Sequence, residues 1–168
     1  MINPRPGRQL ALQTYDGQDI LNSIDDDISP GYIALAQDAF HGLLTMVKQL
    51  GPPTGRYNCF GLVFASRRTN IPPIGLPDAV NIDDLLQRDR YQRVPVPQVG
   101  DVVVYRGPRD IEHAGFVCQV DSLALDRSLT TAPLVMVWSM WGALGEFEHP
   151  VLACPYTDCT VEYWRLRL

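Results

Sequence analysis

This sequence predicts an α+β domain in which N-terminal helices pack on one face of a largely antiparallel β-sheet. Three observations predict it. Before residue 70 the apolar residues recur at three- and four-residue steps, and after residue 100 segments rich in Val, Trp, Tyr and Phe are separated by turn-prone residues. The helical segments come first and the strands follow, an order that favours this class over alternating βαβ units. With 168 residues and 46% hydrophobic content, the chain fills one core, so residues 1–168 are expected to form a single domain.

Residues 1–30 are polar, contain Pro4, Pro6, Gly7 and the run Asp25-Asp26-Asp27, and predict an irregular N-terminal arm. The helices are expected within 31–70. Ser29-Pro30 has the chemistry of a helix start, and Ile33, Ala36, Phe40, Leu43, Leu44, Val47 and Leu50 form an apolar stripe that Gly51-Pro52-Pro53 stops. Asn58 can cap a second helix carrying Phe60, Val63 and Phe64, which places Cys59 in its first turn. Residues 70–100 are rich in Pro and charge, with one short helical segment near 82–87. The sheet is expected within 100–168, from strands at about 101–106, 113–120, 134–141 and 160–167.

Composition excludes several partners. The net charge of -5 and the scattered Arg residues offer no basic field for a phosphate backbone, so no nucleic-acid partner is expected. No run approaches the roughly 18 apolar residues of a membrane span. The opening Met1-Ile2-Asn3-Pro4-Arg5-Pro6 lacks the apolar core of a secretory signal. A cytoplasmic protein is expected, with secretion by a signal-independent route left open. Four irregularly spaced cysteines suggest reduced thiols rather than a disulfide framework. Cys154 and Cys159 provide two of the four ligands a structural zinc requires, with no second pair to follow. No metal and no cofactor are expected.

Cys59 and His113 carry the chemistry. A free thiol titrates near pH 8.5, and a helix N-terminus together with a nearby imidazolium favours the thiolate that attacks a carbonyl carbon. The Cys59 backbone N–H, unpaired at a helix start, suits an oxyanion, with Tyr57 as a second donor. His113, in an alternating strand pattern, titrates near neutrality and can take the thiol proton and return it to a leaving group. Its orienting partner is expected on the next strand or just beyond it, where Ser139, Glu146 and His149 are the polar residues. Spacing alone does not choose among them. Trp138-Ser139-Met140-Trp141-Gly142, with Gly145-Glu146-Phe147-Glu148-His149, concentrates aromatic and polar groups that can wall a cleft, so Trp141 and His149 are substrate-contact candidates.

Three segments resemble the NlpC-type papain-like cysteine peptidases and amidases. Asn58-Cys59-Phe60-Gly61-Leu62-Val63 is similar to the family's Asp-Cys-Ser-Gly-Leu-Val nucleophile motif. Val99-Gly100-Asp101-Val102-Val103-Val104-Tyr105 resembles its strand entry Pro-Gly-Asp-Leu-Val-Phe-Phe, and His113-Ala114-Gly115-Phe116-Val117 its base strand His-Val-Gly-Ile-Tyr. The resemblance covers about residues 58–141. It implies a papain-like fold with Cys59 as nucleophile, His113 as base and Ser139 nearest the position of the third catalytic residue. Asn58 and Phe60 stand where wall-cleaving members carry Asp and Ser that hold a free amino group, so they become substrate-binding candidates and turn the expectation away from cell-wall peptides. The implied activity is amide-bond hydrolysis through a Cys59 thioester, on a peptide or another amide-containing substrate. The alternatives are an acyltransferase or deamidase, such as a bacterial effector or toxin with a protein partner, and a catalytically idle papain-like binding module.

Overall fold

The structure, a computed structural model, describes residues 9–24, 28–72, 81–122 and 133–167. Pro4, Pro6, Gly7 and the Asp25-Asp26-Asp27 run of the predicted arm lie outside the described residues. Helices α1 (Pro30–Ala39), α2 (His41–Leu44), α3 (Cys59–Phe64) and α4 (Ile82–Arg88) accompany strands β1 (Lys48–Gln49), β2 (Tyr91–Val94), β3 (Val102–Arg106), β4 (Ile111–Ser122), β5 (Pro133–Met140), β6 (Glu146–Pro150) and β7 (Thr160–Leu166). The strands form one seven-stranded sheet in the order β1-β6-β5-β4-β3-β7-β2, with every described pairing antiparallel. The mixed α and β content and the antiparallel sheet match the expected class.

The sheet divides the core in two. On one face, Val102, Val104 and Ala114 pack with Cys59, Phe60, Leu62 and Val63 of α3 and with Ile82, Leu85 and Leu86 of α4. On the other, Val103, Tyr105, Val117, Val135 and Val137 meet Cys154 and Tyr156 of the segment after β6. This alternation follows from the pleat, because Val104 pairs with Ala114 while Tyr105 pairs with His113. Burial of a side chain such as Phe60, 1% exposed, contributes about 2–3 kcal/mol.

Three expectations are corrected. The stripe from Ile33 to Leu50 does not form one helix: the chain breaks at Phe40, and Lys48–Gln49 extends to pair with β6. Pairing wins there because Leu50 and Gly51 both donate backbone N–H groups to the Glu146 carbonyl. The helices do not share one face; α1 and α2 pack on Trp141, Leu144 and Phe147 at the β6 end. Strands β2 and β6 add to the four predicted, β6 because its Glu-Phe-Glu-His alternation hides among charged residues. Within the predicted arm, Ile20 is buried against the α3 and α4 core and Ser23 pairs with Asn70. Among the described residues, no helix is long and apolar enough to cross a membrane.

Helix α3 is seated by two local features. Asn58 accepts the Gly61 N–H at 2.9 Å, the N-cap predicted from sequence. Gly61 lies so near the chain that a Cβ there would meet the Thr69 carbonyl oxygen at 1.8 Å. Gly61→Ala should therefore destabilise the protein by about 1–3 kcal/mol, despite alanine's better helix propensity. Chemical denaturation checks this, and an unchanged or raised stability would show that α3 is not seated so tightly.

Candidate active site

Cys59 lies against the sheet face near the end of the β4–β5 register. Val117 exchanges backbone hydrogen bonds with Gly100 and Asp101 on the β3 side, so by alternation the Ala114 amide faces β5. The β4–β5 register stops at Gly115↔Ser139, one pair short of Ala114. The Ala114 N–H is thereby left for the Cys59 thiol, which it reaches together with the N–H groups of Phe60 and Cys59 itself. Burial dominates all the same, and pushes the thiol up to about 11. At neutral pH the sulfur is protonated.

His113 stands one residue before Ala114, and its side chain leaves the sheet on the opposite face. Its ring stacks on Tyr156 with centroids 4.4 Å apart and an interplanar angle of 13°, and lies 5.4 Å from the Tyr105 ring. The residue is 0% exposed, and neither ring nitrogen has a hydrogen-bond partner among the described residues. Burial first, and the neighbouring His149 second, lower its pKa to about 3. The expected thiol–imidazole hydrogen bond is thus not formed: the two residues are neighbours through the Ala114 backbone, with their side chains directed to different faces. Gly115 is packed against β5 rather than against helix α3. A Cβ there would strike the Trp138 carbonyl oxygen and the Ser139 and Val137 side chains of β5, at 2.7 to 2.9 Å.

The other predicted residues are engaged elsewhere. Ser139 bonds to His149 Nε2 at 2.8 Å rather than to His113, and it accepts the Trp141 indole N–H at 3.1 Å. His149 Nδ1 lies 2.9 Å from the Pro150 carbonyl oxygen, an acceptor, so Nδ1 carries the proton and the Ser139 hydroxyl donates to Nε2. Trp141 and His149, expected as cleft-wall contacts, are buried at 1% and 0% exposure because this chain and the Trp141–Phe147 stack enclose them. Phe60, expected near substrate, fills the core beside α4. Asn58 uses its amide to cap α3 and to exchange hydrogen bonds with Ile71.

Tyr57, expected to donate to an oxyanion, gives its hydroxyl proton to Glu146 Oε1 at 2.5 Å. Glu146 gathers two more donors, Arg67 Nε at 2.6 Å and the Trp138 indole at 2.8 Å, while the Arg67 guanidinium lies 4.4 Å over the Trp138 ring. Burial raises the Glu146 pKa, but Arg67, Tyr57 and Trp138 outweigh it and hold the carboxyl below its ordinary range. Tyr57 precedes α3 and Arg67 follows it, so one carboxylate ties both ends of the Cys59 helix to β5 and β6. Arg67 arrives there through a left-handed turn, with φ of 49° at Ser66 and 63° at Arg67. Spacing did not reveal this clamp, because its members lie 79 and 89 residues from Glu146. Tyr156 was likewise passed over, inside a segment that drew attention only for its two thiols.

Comparison of the chain with family models, with curated proteins and with solved structures finds no match to any of the three.

Two outcomes follow from this geometry. Glu146→Ala leaves the Tyr57 hydroxyl and the Trp138 indole without their acceptor and should cost about 2–4 kcal/mol in a denaturation experiment; a loss below ~0.5 kcal/mol would remove the clamp. The neutral His113 makes stability depend on acid. Its folded pKa, about 3, lies below the ordinary value of 6.5, so the unfolded chain binds the extra proton between these values and stability falls as pH falls through that window. In His113→Phe the acid slope between about pH 6 and pH 4 should flatten relative to the wild type. An unchanged slope would show that His113 is not buried neutral.

Proposed function

We propose that the chain is a divergent NlpC-type papain-like thiol hydrolase, a peptidase or amidase, that opens an amide bond through a thioester on Cys59 with His113 as general base. One observation carries this reading. The thiol faces the Ala114 N–H at a capped helix start, beside a residue whose buried imidazole has no partner for either nitrogen among the described residues. A protein rarely leaves a ring so buried and so unsatisfied without a chemical use for it.

In this mechanism His113 takes the thiol proton as Cys59 Sγ bonds to the carbonyl carbon. The oxyanion accepts from the backbone N–H groups of Cys59 and Ala114. As the C–N bond breaks, the imidazolium returns its proton to the departing amine, and the thioester is then opened by water. An amine in place of water makes the same domain an acyltransferase, and a side-chain amide as substrate makes it a deamidase. The rest state holds a neutral thiol and a neutral imidazole, so substrate entry has to bring the ring and the sulfur together.

A second reading is the idle binding module. It is favoured by the absent thiol–imidazole bond, and by the commitment of Tyr57, Asn58 and Phe60 to structure.

p-Nitrophenyl acetate separates the two readings. On the hydrolase reading Cys59 Sγ displaces p-nitrophenolate, and intact-mass and peptide mass spectrometry find a single acetyl group on Cys59 in the wild type. The burst disappears in Cys59→Ala and falls by about 10²-fold or more in His113→Gln. Acetylation spread over several residues, or equal in His113→Gln, would sink the hydrolase and leave the binding module.

A further inference from the structure

The residues that the proposed chemistry needs are buried, Cys59 at 7% and His113 at 0% exposure, and the ring nearest the imidazole is that of Tyr156. Tyr156 lies flat on the His113 ring. Its hydroxyl also feels the charge that a Cys59 thiolate would carry, although the two side chains belong to the clusters on opposite faces of the sheet. The segment that carries Tyr156, residues 151–159, runs in turns and bends between β6 and β7. Its anchors are near its ends. Val151 donates to the Val135 carbonyl at 2.9 Å and accepts the Tyr105 hydroxyl at 2.9 Å, Cys154 is buried, and the Cys159 thiol reaches Glu112 at 3.7 Å. Between Cys154 and Cys159, Thr157 and Asp158 are exposed.

By contrast the other walls belong to paired or clamped elements. α3 is clamped at both ends by Glu146, and Tyr105 belongs to a strand paired on both sides. We infer that residues 155–158 form an aromatic lid in which Tyr156 covers His113, and that displacement of this lid admits an amide substrate and frees the ring. This inference rests on the hydrolase reading for its purpose, but not for its geometry.

The lid also decides whether His113 can act as a base. Under Tyr156 the ring is dry, and the groups around it offer no stabilising charge. These are Tyr105 on β3, the neutral His149 on β6, Tyr156 and Cys154 on the covering segment, and the protonated Cys59 beyond Ala114. Glu112, the nearest carboxylate along β4, faces Cys159. Once the ring is hydrated its affinity for a proton rises, and with it the ability to accept one from the thiol.

The test is the titration of the His113 ring followed by NMR, with the signal assigned through its loss in His113→Gln. In the wild type and in Tyr156→Phe, which keeps the stacked ring, the imidazole should stay neutral to below about pH 4. In Tyr156→Ala its midpoint should rise by at least about one pH unit, with Cys59 alkylation by iodoacetamide faster by about tenfold. Circular dichroism establishes that each variant is folded. If Tyr156→Ala does not fold, Pro155→Gly, which loosens the segment and keeps the ring, should move both readouts in the same direction. An unmoved titration in the folded variants, or a shift in Tyr156→Phe as large as in Tyr156→Ala, overturns the lid. Neither readout involves turnover, so a failed p-nitrophenyl acetate burst with a moved titration rejects the hydrolase and retains the lid. The converse pair of results rejects the lid alone.

Discussion

The packing of the start of α3, with Cys59, against Ala114 of β4 is the contact on which the proposed site depends. It exists because the β4–β5 ladder ends one pair early, leaving an amide that would otherwise be buried without a partner. A short helix has to lie against that position and stay there. Six residues of isolated α3 have no stability of their own, so its position comes from tertiary contacts. Asn58 caps it, Gly61 lets it lie on the Thr69 backbone, and Glu146 holds the residues before and after it. The left-handed pair Ser66 and Arg67 costs about 1 kcal/mol per residue and returns the Arg67 side chain to Glu146.

The same burial that orders the site silences it. A thiol held at about 11 beside an imidazole at about 3 forms no ion pair at any pH between them. On the proposed reading this is a resting state, in which a reactive sulfur is protected until substrate displaces the cover. The energetic cost falls on the unpartnered His113. The satisfied chain from Trp141 through Ser139 and His149 to the Pro150 carbonyl, on the same side of the sheet, keeps the surrounding frame rigid.

Much of this was legible in the sequence because it is local. Helix α3, its Asn58 cap, α4 and the four predicted strands are written in residue spacing, and the order of helices before strands pointed to the class. The break at Phe40 was not legible, since the apolar stripe continues through it and the competing partner, the Glu146 carbonyl, lies about a hundred residues away. Residue roles were harder still. Tyr57 and Asn58 are polar residues beside a cysteine, which reads equally as substrate contact or as capping and clamping, and only tertiary partners decide. The face of a strand on which His113 points is periodic, but which face α3 covers is not, and that is why a matched pair in sequence became two residues joined through a backbone amide.

The most direct measurement is a crystal structure of the protein alkylated at Cys59 by a small haloacetamide. The adduct should lie at the end of the β4–β5 register, with residues 155–158 displaced and a His113 ring nitrogen within hydrogen-bond distance of it. An adduct with the His113 ring still stacked under Tyr156, and both of its nitrogens still without a partner, would contradict this reading.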